Sequence, residues 1–575
     1  MIQAWLSETH SVNFELFRHF FRRFFDNDLI SEPDQLQRLV AGIFSGLFAF
    51  GLLLPVILYP KYRKLHYSPE VTRLFEEALA ADQLFFVGLS MLIIGMMSAF
   101  LWNSLFPDRR DYSTLAPLPL SPWQIFAMKF SALLAFLLLF VAATNVLPSV
   151  VFPSVTLGDN QHVNYVRSIL GHAVSTIMAS FFVFFAVMGC IGLLMNLLPA
   201  RIFRRVSLML QAVLLTLILI TLPVVFFVPN LYEQLARGPS IAFWIPAMWF
   251  WGIYQSICGN SSAFVTDLAR IGYLGFAIAV LAAVALYAIS FSRHTNLLLE
   301  GATPKKSGAA SSIDSRLIPS LGRRPRFLSV LSFTLKTLWR SRPHKMILSC
   351  ICGVGFALVV QGFLTLWLNQ RFRGSEFQQI NWMMAVVSAP LILSFFLLTG
   401  LRYVFTIPCE LHANWIFRLA EDDERINWLS ALEFLVYSAA LACPIILLPV
   451  EYALLGAANS VTQLVLTTLQ SVILAEAMLL HFNRVPFACS YPPGRQNFAQ
   501  TVLLFMLCLG AYAYTMSGMI VFAMGNAGKI LALFGFLLAV YAKLRQIRLE
   551  GWGQIPIAFQ DSGDPDIMLL GLAAK

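Results

Sequence analysis

Three carboxylates interrupt long apolar runs of the chain, Glu433, Glu451 and Glu476, and their chemistry is the first question the sequence poses. A carboxylate in hydrocarbon is costly, so each is a candidate for ion or proton handling by default. Glu433 and Glu476 are expected near one membrane face and Glu451 near the other, where water is within reach. No lysine or arginine is expected at matched depth, which makes a proton relay a poor fit. The nine histidines are dispersed, with no HExxH pattern and no paired-carboxylate cluster, which argues against a metalloprotease or an intramembrane hydrolase. The stretch from Gly301 to Ser307 (GATPKKS) has the first glycine and the Lys-Ser end of a phosphate loop. Lys305 stands where the second glycine belongs and no strand precedes it, so nucleotide hydrolysis is not expected on this chain. The eight cysteines show no CxxC spacing and read as small packing residues rather than disulfides or zinc ligands.

Two polar loops between apolar runs carry a different kind of signal. In Leu105 to Trp123 (LFPDRRDYSTLAPLPLSPW) the closely spaced Pro117, Pro119 and Pro122 limit secondary structure. Arg109 and Arg110 mark it as exposed to water, and Leu115, Leu118 and Leu120 give it something to bury. Thr406 to Trp428 occupies the corresponding place much later in the chain, and its Asn414, Trp415, Ile416, Phe417 and Arg418 suggest a short helix that exposes aromatics. Such residues flanked by charges mark a partner surface or the headgroup zone. Arg484 to Arg495, rich in turn residues, is expected beside it.

The elements that hold these loops follow from composition. With 58% hydrophobic and 12% charged residues and a mean hydropathy of +0.72, the chain lies outside the range of soluble globular proteins. It reads as an all-α polytopic membrane protein of about 12 transmembrane helices, a span requiring about 20 apolar residues. The runs are 39–59, 83–105, 125–150, 168–198, 207–229 and 271–292, then 346–368, 380–404, 430–456, 462–481, 499–522 and 529–544. The net charge of +10 is spread between these runs rather than gathered into a patch, so nucleic acid is not an expected partner. With both termini cytosolic, the inner segments hold 28 basic residues against 10 on the outside, the bias expected of a correct topology. The contrary segment is Pro60 to Asp82, which carries Lys61, Arg63, Lys64 and Arg73. The first 38 residues contain no continuous apolar stretch, so the first span is expected to direct insertion.

The layout divides into two six-helix halves in parallel orientation, because an even number of spans returns each half to the same side. Residues 1–38 hold an interfacial amphipathic helix, with Phe14, Phe17, Phe21 and Phe24 on one stripe and Glu15, Arg18, Arg22 and Asp26 opposite. The first half is 39–292, and a cytosolic linker, 293–345, contains a second amphipathic helix with Phe327, Leu331, Leu335 and Leu338 on its apolar face. The second half is 346–545, followed by a cytosolic tail, 546–575. Only the first half has an aromatic segment before its last span, SIAFWIPAMWFWGIYQSICG (240–259), read as a re-entrant hairpin with Trp244, Trp249, Trp251 and Tyr254 at headgroup level.

This order of interfacial helix, two spans, a PDRRDYSTLAPLPLSPWQIFAMK loop, four spans and an IPAMWFWGIYQ hairpin resembles the permease subunits of ABC-2 type transporters. The second half, with PCELHANWIFRLAE and RVPFACSYPPGRQN, looks like fused, twelve-span bacterial members of that group. The resemblance implies that the loop after the second span of each half docks on a separate ATPase subunit. Asp108, Arg109, Arg110, Leu115 and Leu118 in one loop, with Glu410, Asn414, Trp415, Phe417 and Arg418 in the other, would then meet two ATPase copies. It also implies ATP and magnesium on the partner and none on this chain, a bacterial inner-membrane location, contact with membrane lipids, and export of an amphiphilic or lipid-linked substrate. The rival expectations are a secondary carrier, a membrane-integral transferase working near Asp267 and Arg270, and a non-transporting assembly or signalling component.

Overall fold

A computed structural model describes residues 2–24, 33–66, 72–103, 115, 118–157, 164–225, 239–300, 325–373, 378–407, 425–480, 482, 486–487 and 498–554. These residues are helical almost throughout, as the apolar runs require: hydrocarbon offers no partner for backbone groups, so each span satisfies its own N–H and C=O groups in α-helix. The chain divides into two compact units, Met1–Pro304 and Lys305–Lys575.

The first unit comprises α1 (Ile2–Arg23), α2 (Pro33–His66), α3 (Thr72–Phe100), α4 (Pro122–Leu157), α5 (Tyr165–Leu197), α6 (Ala200–Val225), α7 (Pro246–Cys258) and α8 (Ala263–Glu300). The second comprises α9 (Pro325–Arg340), α10 (Arg342–Arg373), α11 (Gln378–Phe405), α12 (Arg425–Leu455), α13 (Ala457–Leu479), α14 (Phe498–Ala523) and α15 (Ala527–Gln554). Among the described residues eleven helices are long and apolar enough to cross a membrane; the apolar part of α6, Val206–Leu222, is shorter. The chain is therefore a polytopic all-α protein of membrane-spanning composition.

Each unit is built to one plan. The amphipathic helix lies on the third spanning helix, α1 on α4 and α9 on α12. The second, third and fourth spanning helices pack on one another, α3, α4 and α5 in the first unit and α11, α12 and α13 in the second. The fifth leans on the second and the sixth on the fourth in both. A sequence signal accompanies the repeat: α4 carries Pro148 and Pro153, and α12 carries Pro444 and Pro449, at the same spacing. A proline removes one N–H and crowds the carbonyl one turn earlier, so the paired prolines interrupt the backbone bonding of both helices toward their C-terminal ends.

The first spanning helix breaks the plan. In the first unit α2 packs along α4, whereas its counterpart α10 packs along α11. Small residues allow the close approaches, as expected where helices associate by packing rather than by the hydrophobic effect. A Cβ at Gly51 would stand 3.1 Å from Pro148 Cδ, and one at Gly252 only 2.6 Å from Leu268 Cβ, so α2–α4 and α7–α8 meet backbone against side chain.

The amphipathic helices are held by protein as well as shaped for an interface. Leu16 and Phe20 of α1 are buried, Phe17, Phe21 and Phe24 are partly buried against the same core, and Phe14 faces outward. Lys129 of α4, buried beneath α1, places its ammonium 5.0 Å from the Phe20 and Phe24 ring centres. In α9, Val330 and Leu331 are buried while Leu335 and Trp339 are exposed.

Candidate functional site

The first unit has a polar interior that composition alone conceals. Along α5, Ser168, His172, Ser175, Thr176 and Ser180 are all buried and recur at helical spacing on one face. Ser175 and Thr176 turn their hydroxyls back to the His172 carbonyl, at 3.1 and 2.8 Å, which satisfies them locally. Asn145 of α4 joins three helices: its carbonyl accepts from Ser90 of α3, and its amide donates to Val141 O at 3.0 Å and Ser180 Oγ at 3.3 Å. His172 is fully buried, and neither ring nitrogen has a hydrogen-bond partner among the described residues. The rings of Phe86, Phe152 and Tyr254 surround it at centroid distances of 5.4, 5.4 and 5.6 Å.

A cavity of about 10 Å3 opens beside this imidazole, between Phe50 and Gly51 of α2, Phe86 and Ser90 of α3, Thr144 and Asn145 of α4, and His172 itself. That is room for about one water molecule.

The aromatic segment closes one end of the unit. Its residues fold as a single turn, Pro239–Ala242, followed by α7, which ends at Gly259 in the left-handed conformation (φ 102°) that glycine adopts without strain. Trp251 and Tyr254 do not sit free at headgroup level as the sequence suggests; both are buried, because α7 packs on α3, α5 and α8. Trp251 Nε1 donates to Ala80 O at 2.9 Å, and Gln255 donates to Gln83 at 2.5 Å. Trp249, half-buried, donates to Phe243 O at 2.8 Å, and Trp244 is 86% exposed, the one of the four free to meet headgroups. Close by along the chain, the buried Asp82 accepts from Lys61 Nζ at 2.7 Å and from Tyr62 OH at 2.6 Å, tying α2 to α3.

The second unit repeats the polar ridge on α13, the counterpart of α5. Ser460, Gln463, Thr467, Gln470, Ser471 and Glu476 are buried along it. Gln463 and Gln470 donate to Val386 O at 3.3 Å and Met516 O at 3.4 Å, and their side-chain oxygens accept nothing among the described residues.

One end of the ridge carries a charge cluster that overturns an expectation. Glu433 and Glu476 do have a basic partner: Arg548 of α15, fully buried, donates through Nε to Glu476 at 2.5 Å and through Nη2 to Glu433 at 2.8 Å. Tyr437 donates to Glu476 as well, and the Trp552 ring lies 4.1 Å from the guanidinium carbon. The partner escaped the sequence reading because α15 was expected to end at 544, whereas it runs on to Gln554 and returns Arg548 to the bundle. Glu451 of α12 is different again, 2% exposed with neither carboxylate oxygen partnered among the described residues.

Of the loop residues expected to meet a partner, Leu115 is buried in the core of the first unit and Leu118 is 48% exposed. Leu115 thus serves packing within the first unit. Asp108, Arg109, Arg110, Glu410, Asn414, Trp415, Phe417 and Arg418 lie outside the described residues. His172, Asn145 and Ser90 were not singled out from sequence. The signal was present in the helical spacing of Ser168, His172, Ser175, Thr176 and Ser180, which a search for metal and catalytic motifs passes over. Among the described residues no cluster of His, Cys, Asp and Glu could hold a metal ion. Compared with family models, curated proteins and solved structures, the chain matches none.

Chemically, the two ridges offer hydroxyls, amides and an imidazole along otherwise apolar helices. They suit binding and passage of polar groups through hydrocarbon better than bond cleavage.

Proposed function

We propose that the chain is the membrane permease of an ATP-driven exporter of the ABC-2 type, both halves in one polypeptide. The observation that supports this reading most is the repeat: two units, each an amphipathic helix plus six further long helices, all but the first of the six packed to one plan, each with a polar ridge on its fourth spanning helix. Paired halves with buried polar faces suit a pathway for an amphiphilic or lipid-linked substrate. In this reading both termini are cytosolic in a bacterial inner membrane, and ATP and magnesium belong to a separate ATPase, present in two copies. The loops around Arg109 and Trp415 dock on those copies, and ATP-driven closure moves them. The Lys61–Asp82 ion pair supports the topology, since it neutralises part of the basic charge that the outer segment Pro60 to Asp82 would carry.

The test is purification of the full chain with its co-encoded proteins. An ATPase co-purifies, its activity rises in the complex, and Arg109→Glu with Trp415→Ala uncouples it. Absence of any ATPase, or an associated activity indifferent to both changes, refutes the reading.

A secondary carrier is the second reading, and Glu451 is what favours it: a buried, unpartnered carboxylate is the group an ion-coupled transporter needs. It requires uptake into proteoliposomes driven by an ion gradient without ATPase, abolished by Glu451→Gln.

A further inference from the structure

We propose that the cavity beside His172 is a binding site for a neutral, hydroxyl-bearing headgroup of a membrane amphiphile, entered sideways from the lipid when α2 moves off α4. This rests on the exporter reading and names the class of its substrate.

His172 is fully buried and neither of its ring nitrogens is partnered among the described residues. A phenylalanine would fill the same space among Phe86, Phe152 and Tyr254, whereas an unsatisfied buried polar group costs roughly 1–3 kcal/mol. The imidazole borders the cavity, so the missing partner has a place to sit. A neutral imidazole offers one donor and one acceptor, the pair that a hydroxyl group complements. Ser90 and Asn145, which also line the cavity, are bonded to each other and keep lone pairs for a further donor. No Asp, Glu, Lys or Arg lines the cavity, so a phosphate or ammonium headgroup would be buried without compensation there.

About 10 Å3 holds a single hydroxyl, so a whole headgroup requires a wall to yield. α2 is the least enclosed wall, tied to α3 at one end by Lys61 and Tyr62 on Asp82. Only 11% of its spanning window is buried, against 72% for α3 and 44% for α4 and α5. Beside the cavity its seat on α4 is the contact of Gly51 with the Pro148 ring, and farther along the Phe44 ring lies 4.8 Å from that of Phe140. The second unit shows the alternative seat: α10 lies on α11 and leaves α12 uncovered by it. The same element thus has two packings on one plan, and the one in the first unit covers the polar interior.

The probe is a photoreactive monoglucosyl diacylglycerol, compared with phosphatidic acid carrying the same photoreactive chains, each in proteoliposomes holding the full chain without nucleotide. Labelled peptides from α2 and α5 are expected at least about fivefold in excess for the neutral lipid. His172→Phe should lower that labelling about fivefold, equivalent to loss of one hydrogen bond of about 1 kcal/mol. Ser90→Ala provides the second variant if His172→Phe does not fold, and a similar loss is expected. Equal labelling by both lipids, or undiminished labelling in both variants, overturns the proposal. Competition by free glucose at matched concentration would place entry from water and overturn the lateral route. Labelling is read without an ATPase, so failure of the partner to co-purify refutes the exporter reading and leaves the site standing, while loss of labelling alone refutes the site.

Discussion

Arg548 holds two acids on two different helices, and the three charges are sensible only together. The guanidinium and the Glu476 carboxylate are both fully buried, so removing one partner leaves the other without compensation. Arg548→Met is expected to destabilise the second unit by about 3–5 kcal/mol, the usual cost of breaking a buried pair, seen as a lowered melting midpoint in detergent. The triple change Glu433→Gln, Glu476→Gln, Arg548→Met should recover most of that loss, because a buried ion pair contributes little over an uncharged replacement. In the first unit the comparable residue is Trp251, whose indole N–H is spent on Ala80 O. Trp251→Phe is expected to cost about 1 kcal/mol by the same measurement, the net worth of one hydrogen bond.

Glycines set how closely whole elements meet. Gly252 brings α7 against α8 so tightly that a Cβ would also lie 2.9 Å from Ala269 N, which cannot move without its helix. Gly252→Val should therefore separate α7 from α8 and cost about 1–3 kcal/mol from overpacking, and protease access around Trp244 should rise with it. The spans themselves were legible, since a helix that must cross hydrocarbon announces itself by a long apolar run. What composition does not carry is which face of a span looks inward, and so Trp251 and Tyr254 read as headgroup anchors until α7 is seen against α3 and α5. His172 was hidden for a related reason: its neighbours on the α5 face are small hydroxyl residues that bond their own backbone and barely disturb hydropathy. Arg548 was hidden by its position, past the point at which the apolar run stops. The paired prolines of α4 and α12 were legible and overlooked, for they mark the repeat in residue identity as well as in layout.

At the scale of the molecule, the two units share every helix of the plan except the α7 segment, and each is a compact body in its own right. The exporter topology makes a direct prediction from two exposed residues, Leu118 and Trp244. In sealed vesicles, Leu118→Cys should react with a membrane-impermeant maleimide from the cytosolic face only, and Trp244→Cys from the opposite face only. Reaction of both from one side would invert or collapse the proposed arrangement of the first unit. The bulk of the fold was open to sequence reasoning at this scale, because layout follows from counting spans. The asymmetry of the halves was open only in part: the extra aromatic segment is written in the sequence, while the different seats of α2 and α10 depend on contacts between helices of similar composition.

The Arg548 cluster also has a consequence for how the chain is made. Glu433 and Glu476 leave the ribosome long before Arg548, which lies near the end of the last helix. Until α15 has been made, α12 and α13 carry two acids without the Arg548 guanidinium that pairs with both. A product that stops short of α15 keeps these acids unpaired, and uncompensated charge among apolar helices should make it less stable than the chain that carries Arg548. A chain stopped after Asn526 should be degraded several times faster than the full chain in a pulse-chase experiment, and Glu433→Gln with Glu476→Gln should lengthen the life of the truncated form.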